Sequence, residues 1–250
     1  IQSADEMQAL ESDVKFDVLG GILYKCDGKL NPMKLMKQLI AYLKGKGVLF
    51  QDQTAVKGFN ISGKKIKELV TDKGNFKGDE FVLCPGAYLM ELTNKLNLKL
   101  PLMPGKGYSF MYTAPTGVKL AHAALLLEAR VAVTPMNGKI RFGGTMELGS
   151  PNNKIYQNRV EGIVNSIPKY LTNLDVEYPK EDIWYGYRPC TPDGLPYLGR
   201  VTKYENVAIA AGAGMMGLSL GPAMGKAISD ILSNKKFETN ISTFSPDRFG

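Results

Sequence analysis

The sequence predicts a mixed α/β (α+β) protein in which an α/β portion is interrupted by an antiparallel sheet. Three stretches carry that prediction. Between 25 and 97, a segment of helical periodicity is followed by short apolar runs and a second helical segment. From 100 to 147 the texture turns to β, with short runs at 108–113, 120–127, 131–135, 139–142 and 145–147 punctuated by Gly and Pro. Near the end, an apolar run at 206–211 passes through a glycine-rich turn into a small-residue helical segment that closes at Leu232.

In chain order, 1–24 is a weakly amphipathic lead-in that reaches a turn at Gly20-Gly21. Asn31 is a good helix cap and Pro32 suits the first helical position. Leu35, Met36, Leu39, Ile40 and Leu43 then recur at helical spacing up to Gly45 and Gly47. The apolar triplet at 48–50 reads as a short buried strand. Runs at 54–61 and 66–71 alternate and are separated by Ser62-Gly63-Lys64-Lys65, which predicts a hairpin. Another short strand, 80–84, is broken by Pro85-Gly86 ahead of a helix over 87–95. After the β-rich region a helix is expected over about 154–170. These shifts divide the chain at 1–24, 25–97, 98–182 and 183–250.

Length gives one large or two small domains with ample core, and 44% hydrophobic with 22% charged residues is an ordinary globular balance. No apolar run is long enough to span a bilayer, and no signal-peptide pattern is present. Cys26, Cys84 and Cys190 are odd in number and widely spaced. That fits neither a disulfide framework nor a metal cluster, and it suggests a reducing, cytoplasmic setting. The single histidine, His122, excludes a multi-histidine metal centre and reads as a satisfied core residue of an apolar strand. The net charge of +7 is spread, with short lysine clusters at Lys64, Lys65, Lys67 and at Lys235, Lys236. No basic stripe interleaves with aromatics, so no nucleic-acid partner is expected. A modest positive field favours anionic substrates or the acidic inner face of a membrane.

Gly212-Ala213-Gly214-Met215-Met216-Gly217 satisfies G-x-G-x-x-G after a strand and before a helix, the pattern of a nicotinamide-dinucleotide site. That reading fails on length, because only 18 residues follow Leu232 and Asp230 falls inside the helical pattern. Met215 and Met216 read as core beside the turn.

A second pattern fits better. The run GYRPCTPDGLPYLG at 186–199, a strand, and then a glycine turn into a last helix resembles the carboxyl end of the FAD-dependent D-amino-acid oxidase and dehydrogenase superfamily. The D-amino-acid dehydrogenase and glycine oxidase branch is the most similar. DGKLNPMKLMKQLIAYLKGKGVLF, FVLCPGAYLMEL, PLMPGKGYSF and KIRFGGTMELG follow in the family's order, so the resemblance covers nearly the whole chain from about Gly20. One departure is Ala213, where the family's dehydrogenases usually carry histidine. No strand, G-x-G-x-x-G turn and helix opens the chain, so the resemblance implies the later part of a longer protein, with a partial FAD-binding α/β domain interleaved with an antiparallel substrate-binding domain.

The resemblance implies FAD as cofactor and a small amino acid as substrate, with a quinone or oxygen accepting the electrons. It assigns Arg188 to the substrate carboxylate, a role suited to a guanidinium's two parallel donors. Pairing with an acid or capping a turn is the alternative reading of the same residue. Gly212, Gly214, Met215, Met216, Gly217 and Leu218 would lie at the flavin, where glycines admit close approach and a helix amino terminus favours negative charge. Val56 and Gly86 are further cofactor positions by resemblance, although each also reads as core or turn. Tyr108 and Arg141 lie on strands of the substrate domain, and alternation leaves open which of them faces the pocket. Loss of the flavin half would leave a non-catalytic amino-acid-binding module, the rival to an enzyme.

Overall fold

The structure is a computed structural model that describes residues 1–179, 182–235 and 238–250. The second member of the pair Lys235-Lys236 lies outside the described residues. The chain divides into two compact units, each assembled from separate segments. The first comprises 1–50, 107–147 and 152–186, and the second 51–106, 148–151 and 187–250.

The first unit is built on a five-stranded sheet in the order Trp184–Cys190, Met103–Tyr112, Lys139–Leu148, Val131–Met136 and Ala124–Leu126. Of the last three, the middle strand pairs antiparallel with both its neighbours, with Phe142 opposite Val133 and Arg141 opposite Thr134. Alternation sends Phe110, Ile140, Phe142, Val131 and Val133 to one face. There they meet Val160, Ile163 and Val164 of the helix Gln157–Val164. The runs expected at 139–142 and 145–147 are one strand, Lys139–Leu148, within which Thr145 adopts φ +60°. The helix expected over 154–170 is shorter, because Pro168 limits its end to a 3₁₀ turn, Ile167–Lys169.

Two expectations for this unit need correction. The strand anticipated at 48–50 is absent, and Val48 and Leu49 are 45% and 87% exposed. Three apolar residues cannot hold an extended conformation without a neighbour to complete the hydrogen-bond ladder. His122 is not a core residue either. Its half-exposed ring meets the buried Glu11 carboxylate, with Nδ1 to Oε1 at 2.9 Å. Glu11 also accepts the backbone N–H groups of Ala121 and His122, at 2.8 and 2.7 Å.

The helix Pro32–Gly45 starts where Asn31 and Pro32 indicate, with the Asn31 side chain accepting the Lys34 N–H at 3.1 Å. It buries none of its residues.

The second unit holds two three-stranded sheets. In one, Val56–Ser62 and Lys65–Thr71 form the expected hairpin, closing with Ser62 opposite Lys65 and Gly63 at φ +59°. A third strand, Gly74–Lys77, continues the meander; its four residues include a single large apolar side chain, too little for a period to show. The other sheet runs Tyr197–Arg200, Val207–Ala211, Phe81–Leu83, and its last two strands are parallel. Asn206 links the two sheets from a buried position. Its side chain accepts the Ile66 N–H at 3.0 Å and donates to the carbonyls of Ile66 and Asp79 at 2.8 and 3.1 Å. Ile66, Leu83, Leu89, Tyr197 and Ile209 close this core. The helix expected over 87–95 is a short α-helix, Leu89–Thr93, between two 3₁₀ turns.

Candidate active site

In the second unit, two loops leave the same end of a parallel strand pair. Leu83 stands opposite Ile209. Three residues beyond each come Gly86, at φ +58°, and Gly212, at φ +79°. Both conformations exclude most side chains. The carboxyl ends of adjacent parallel strands are where open α/β sheets place ligands. Cys84 follows Leu83 at one of these ends, and desolvation pushes its thiol up while the Ala210 N–H pulls it down.

At Gly212 a methyl group would also lie 2.7 Å from Thr191 Cγ2, so close approach requires glycine as much as the torsion does. Gly214 has φ +52°, and a methyl there would meet nothing within 4 Å, which leaves the space above its backbone open. Gly217 has an ordinary backbone and begins the helix Gly217–Leu232. No side chain caps that helix end, so its first N–H groups carry the partial positive charge of the dipole unscreened by a capping oxygen.

Met215 and Met216 do not pack as core. They are 71% and 56% exposed, and Leu218 and Leu220 beside them are exposed as well. A tight turn with positive φ on either side of Ala213 lifts the two methionines off the sheet. Both leave exposed apolar surface just before the helix begins.

Arg188 lies on the strand Trp184–Cys190, directly joined to this turn. Gly214 N–H donates to the Pro189 carbonyl at 3.0 Å, and Cys190 bridges Ala213 in antiparallel fashion. Pro189 and Gly214, and likewise Cys190 and Ala213, are thus neighbours in space. Arg188 is half-buried, and that burial pushes its guanidinium below the ordinary value, a shift that Cys190 opposes. Desolvation at this depth strengthens any charge-assisted bond the fork makes.

Val56 pairs with Thr71 at the open end of the hairpin, half-buried. Asp230 is buried within the final helix, paired with Lys226, so it does not occupy the strand end that a ribose-binding acid needs.

In the first unit, Tyr108 and Arg141 point to opposite faces of their sheet. Tyr108 is 1% exposed, lies in the core, and donates its hydroxyl to Glu147 Oε2 at 2.8 Å. Burial, with Glu147 second, pushes it up to about 12. Arg141 takes the other face. Its Nε and Nη2 donate to Ser109 Oγ at 3.2 and 2.9 Å, and its guanidinium carbon lies 5.4 Å from the Trp184 ring centre.

Residues 1–231 match the family model of the FAD dependent oxidoreductases, DAO. The chain belongs to the DAO family. The DAO relatives it matches include the D-amino acid dehydrogenase of Bradyrhizobium diazoefficiens, 29% identical over 94% of this chain and 56% of the relative. That of Helicobacter pylori is 28% identical over 96% and 58%. The chain therefore spans little more than half the length of these relatives. Its fold is similar to glycine oxidase from Geobacillus kaustophilus (TM-score 0.89, 23% identity, 99% of this chain and 66% of that one). It is also similar to L-proline dehydrogenase from P. horikoshii (TM-score 0.87, 21% identity, 99% and 68%). Both are mixed α/β neighbours that agree with the class expected from the sequence. Among the described residues, no helix is long and apolar enough to cross a membrane.

FAD is the cofactor of this DAO family, and the residues present fit such a group. Gly214 offers open backbone, the helix terminus offers uncapped donors, and Met215 and Met216 offer an exposed apolar rim.

Proposed function

We propose that this chain forms the substrate-holding and flavin-facing part of an enzyme that oxidises the C–N bond of a small amino acid. The observation that carries the reading is the joint between Pro189 and Gly214, which fixes Arg188 beside the glycine turn. A flavin held at the glycine turn would supply the hydride acceptor for the substrate α-carbon; the imino acid so formed would be hydrolysed by water to a keto acid and ammonia.

The protein's own part is orientation and electrostatics. Arg188 grips the substrate carboxylate with two parallel N–H donors and so fixes the amino acid's direction as well as its place. Pro189 stiffens that strand, and its carbonyl holds the turn. Backbone at Gly86 and Gly214, where a methyl group would meet nothing within 4 Å, admits a flat ring without a side-chain clash. The amino terminus of Gly217–Leu232 favours negative charge developing next to it, at no reorganisation cost. These are backbone contributions, so Ala213 in place of histidine leaves them intact. No residue is required as general base if the amine binds neutral. Electrons leave to a quinone or to oxygen, and the substrate is a D-amino acid, glycine or a proline-like imino acid.

The complete reading frame, expressed and tested for bound flavin, should reduce a dye in the presence of one of these substrates, and comparison with oxygen uptake separates the two acceptors. Bound flavin without dye reduction or oxygen uptake on any of them would overturn the proposal.

A further inference from the structure

We infer that a cleft in the first unit, walled by Tyr112 and Tyr178 and rimmed by Asp175 and Glu177, binds a short alkyl diammonium. The inference rests on residues of the first unit alone and does not depend on the flavin reading.

The cleft opens where the strand Met103–Tyr112 runs out. It holds about 420 Å³ between that strand end and the segment 175–179, within the range of about 300–1,000 Å³ usual for small-molecule sites. Phe110, 3% exposed, forms its floor. The ring of Tyr112 is steadied by the fully buried Phe142, with centres 6.0 Å apart and planes tilted by 53°. Tyr178 packs against the same core. The aromatic walls are therefore set before any ligand arrives, which lowers the ordering cost of binding.

The segment facing the strand end alternates. Leu174 and Val176 turn into the core, so Asp175 and Glu177 project together to the open side. Two residues of extended chain separate them by about 6–7 Å, similar to the span of two ammonium groups on a four-carbon stem. Burial pushes the Tyr112 phenol up and Asp175 adds to the shift, so that carboxylate acts directly on the ring's hydroxyl.

The sign of the lining decides the class of ligand. The chain carries a net charge of +7, yet no lysine, arginine or histidine lines this cleft. A carboxylate ligand, the kind that Arg188 suits, would be repelled here. Among the described residues, no three His, Cys, Asp or Glu side chains gather to hold a metal ion. Two carboxylates beside ring faces suit an organic dication instead. Its ammonium groups pair with the acids while its stem lies against the tyrosines, whose faces attract a cation within about 6 Å.

Butane-1,4-diammonium added to the complete protein at constant ionic strength should receive saturable magnetisation transfer at its methylene protons, half-saturated in about the millimolar range. Butylammonium, which leaves one carboxylate unmatched, should bind about fivefold more weakly. Butyrate should show no saturable transfer, and ammonium ion, which has no stem, should not displace the diammonium at equal concentration. Asp175→Asn and Glu177→Gln should each weaken diammonium binding about fivefold, and the double variant should abolish saturation. Both acids are exposed, so these changes leave the core untouched, and circular dichroism checks that the fold is kept. Equal affinities for the two amines, displacement by ammonium ion, or a response unchanged in the double variant would overturn the assignment. So would saturable transfer to butyrate, or transfer to the diammonium that rises without saturating.

Discussion

The guanidinium of Arg248 grips the carboxylate of Asp193 through two contacts, Nε to Oδ2 at 2.8 Å and Nη2 to Oδ1 at 3.0 Å. It also donates to the carbonyls of Leu195 and Pro196, and lies 4.2 Å from the Tyr197 ring centre. The Pro/Gly-rich run that identifies the family is therefore locked by a residue at the far end of the chain.

Asp193 is held down to about 2, chiefly by the Arg248 hydrogen bonds. A carboxyl depressed in the folded state contributes stability above its unfolded value and loses it as pH falls. The contribution should thus be complete above about pH 4 and gone near pH 2. Arg248→Ala should lower stability at neutral pH by about 1–2 kcal/mol and flatten this acid limb. Denaturant midpoints across that window measure both effects; an unchanged acid limb would contradict the assignment.

Tyr108 gives the opposite limb. A phenol raised to about 12 in the fold, mainly by burial, stabilises the protein below its unfolded value near 10 and stops doing so as pH climbs through 12. Tyr108→Phe should remove part of that alkaline dependence. Tyrosinate absorbance during alkaline titration would show one late-ionising group lost in the variant.

Glu11 satisfies two backbone N–H groups and a ring from a buried site. Glu11→Ala should cost about 2–3 kcal/mol, because the orphaned donors at Ala121 and His122 lose their acceptor. His122→Ala should cost far less. Thermal melts of the two variants separate the roles.

The glycine turn allows packing and ligand approach to be told apart. Gly214→Ala should destabilise the fold by about 1 kcal/mol or more, since φ is +52° there. Gly217→Ala is unstrained and has room, with the nearest contact 3.8 Å from Ala213 Cβ. Its melting temperature should stay near the parent's. If the helix terminus faces the flavin, Gly217→Val in the complete enzyme should weaken flavin binding or lower its potential without unfolding the protein. A potential equal to the parent's would confine the turn to packing.

Arg188→Lys in the complete enzyme should raise KM, and Arg188→Ala should raise it further, with flavin still bound. Loss of a desolvated, two-donor contact is expected to weaken transition-state binding by about 2–4 kcal/mol. Unchanged kcat/KM would leave Arg188 a structural residue.

Much of this was legible because the signals were local. Ser62-Gly63-Lys64-Lys65 between alternating runs can hardly be anything but a hairpin, and a glycine cluster after an apolar run announces a strand-to-helix turn. What escaped was set by partners far away in sequence. Arg248 sits in a tail with no period and finds Asp193 across 55 residues. Val48 and Leu49 are as apolar as any strand, yet hydrophobicity without a ladder neighbour gives no strand. Met215 and Met216 look like core by composition, and only the torsions at Gly212 and Gly214 reveal that they are lifted clear. Tyr108 and Arg141 needed the strand register before their faces could be distinguished.

The helix Pro32–Gly45 buries none of its side chains, so little beyond its own turns and the Asn31 cap resists local opening. It also carries Lys34, Lys37 and Lys44. A protease that cuts after lysine, applied briefly under native conditions, should nick here well before it reaches the sheet cores, leaving a long carboxyl-terminal product that begins within this helix.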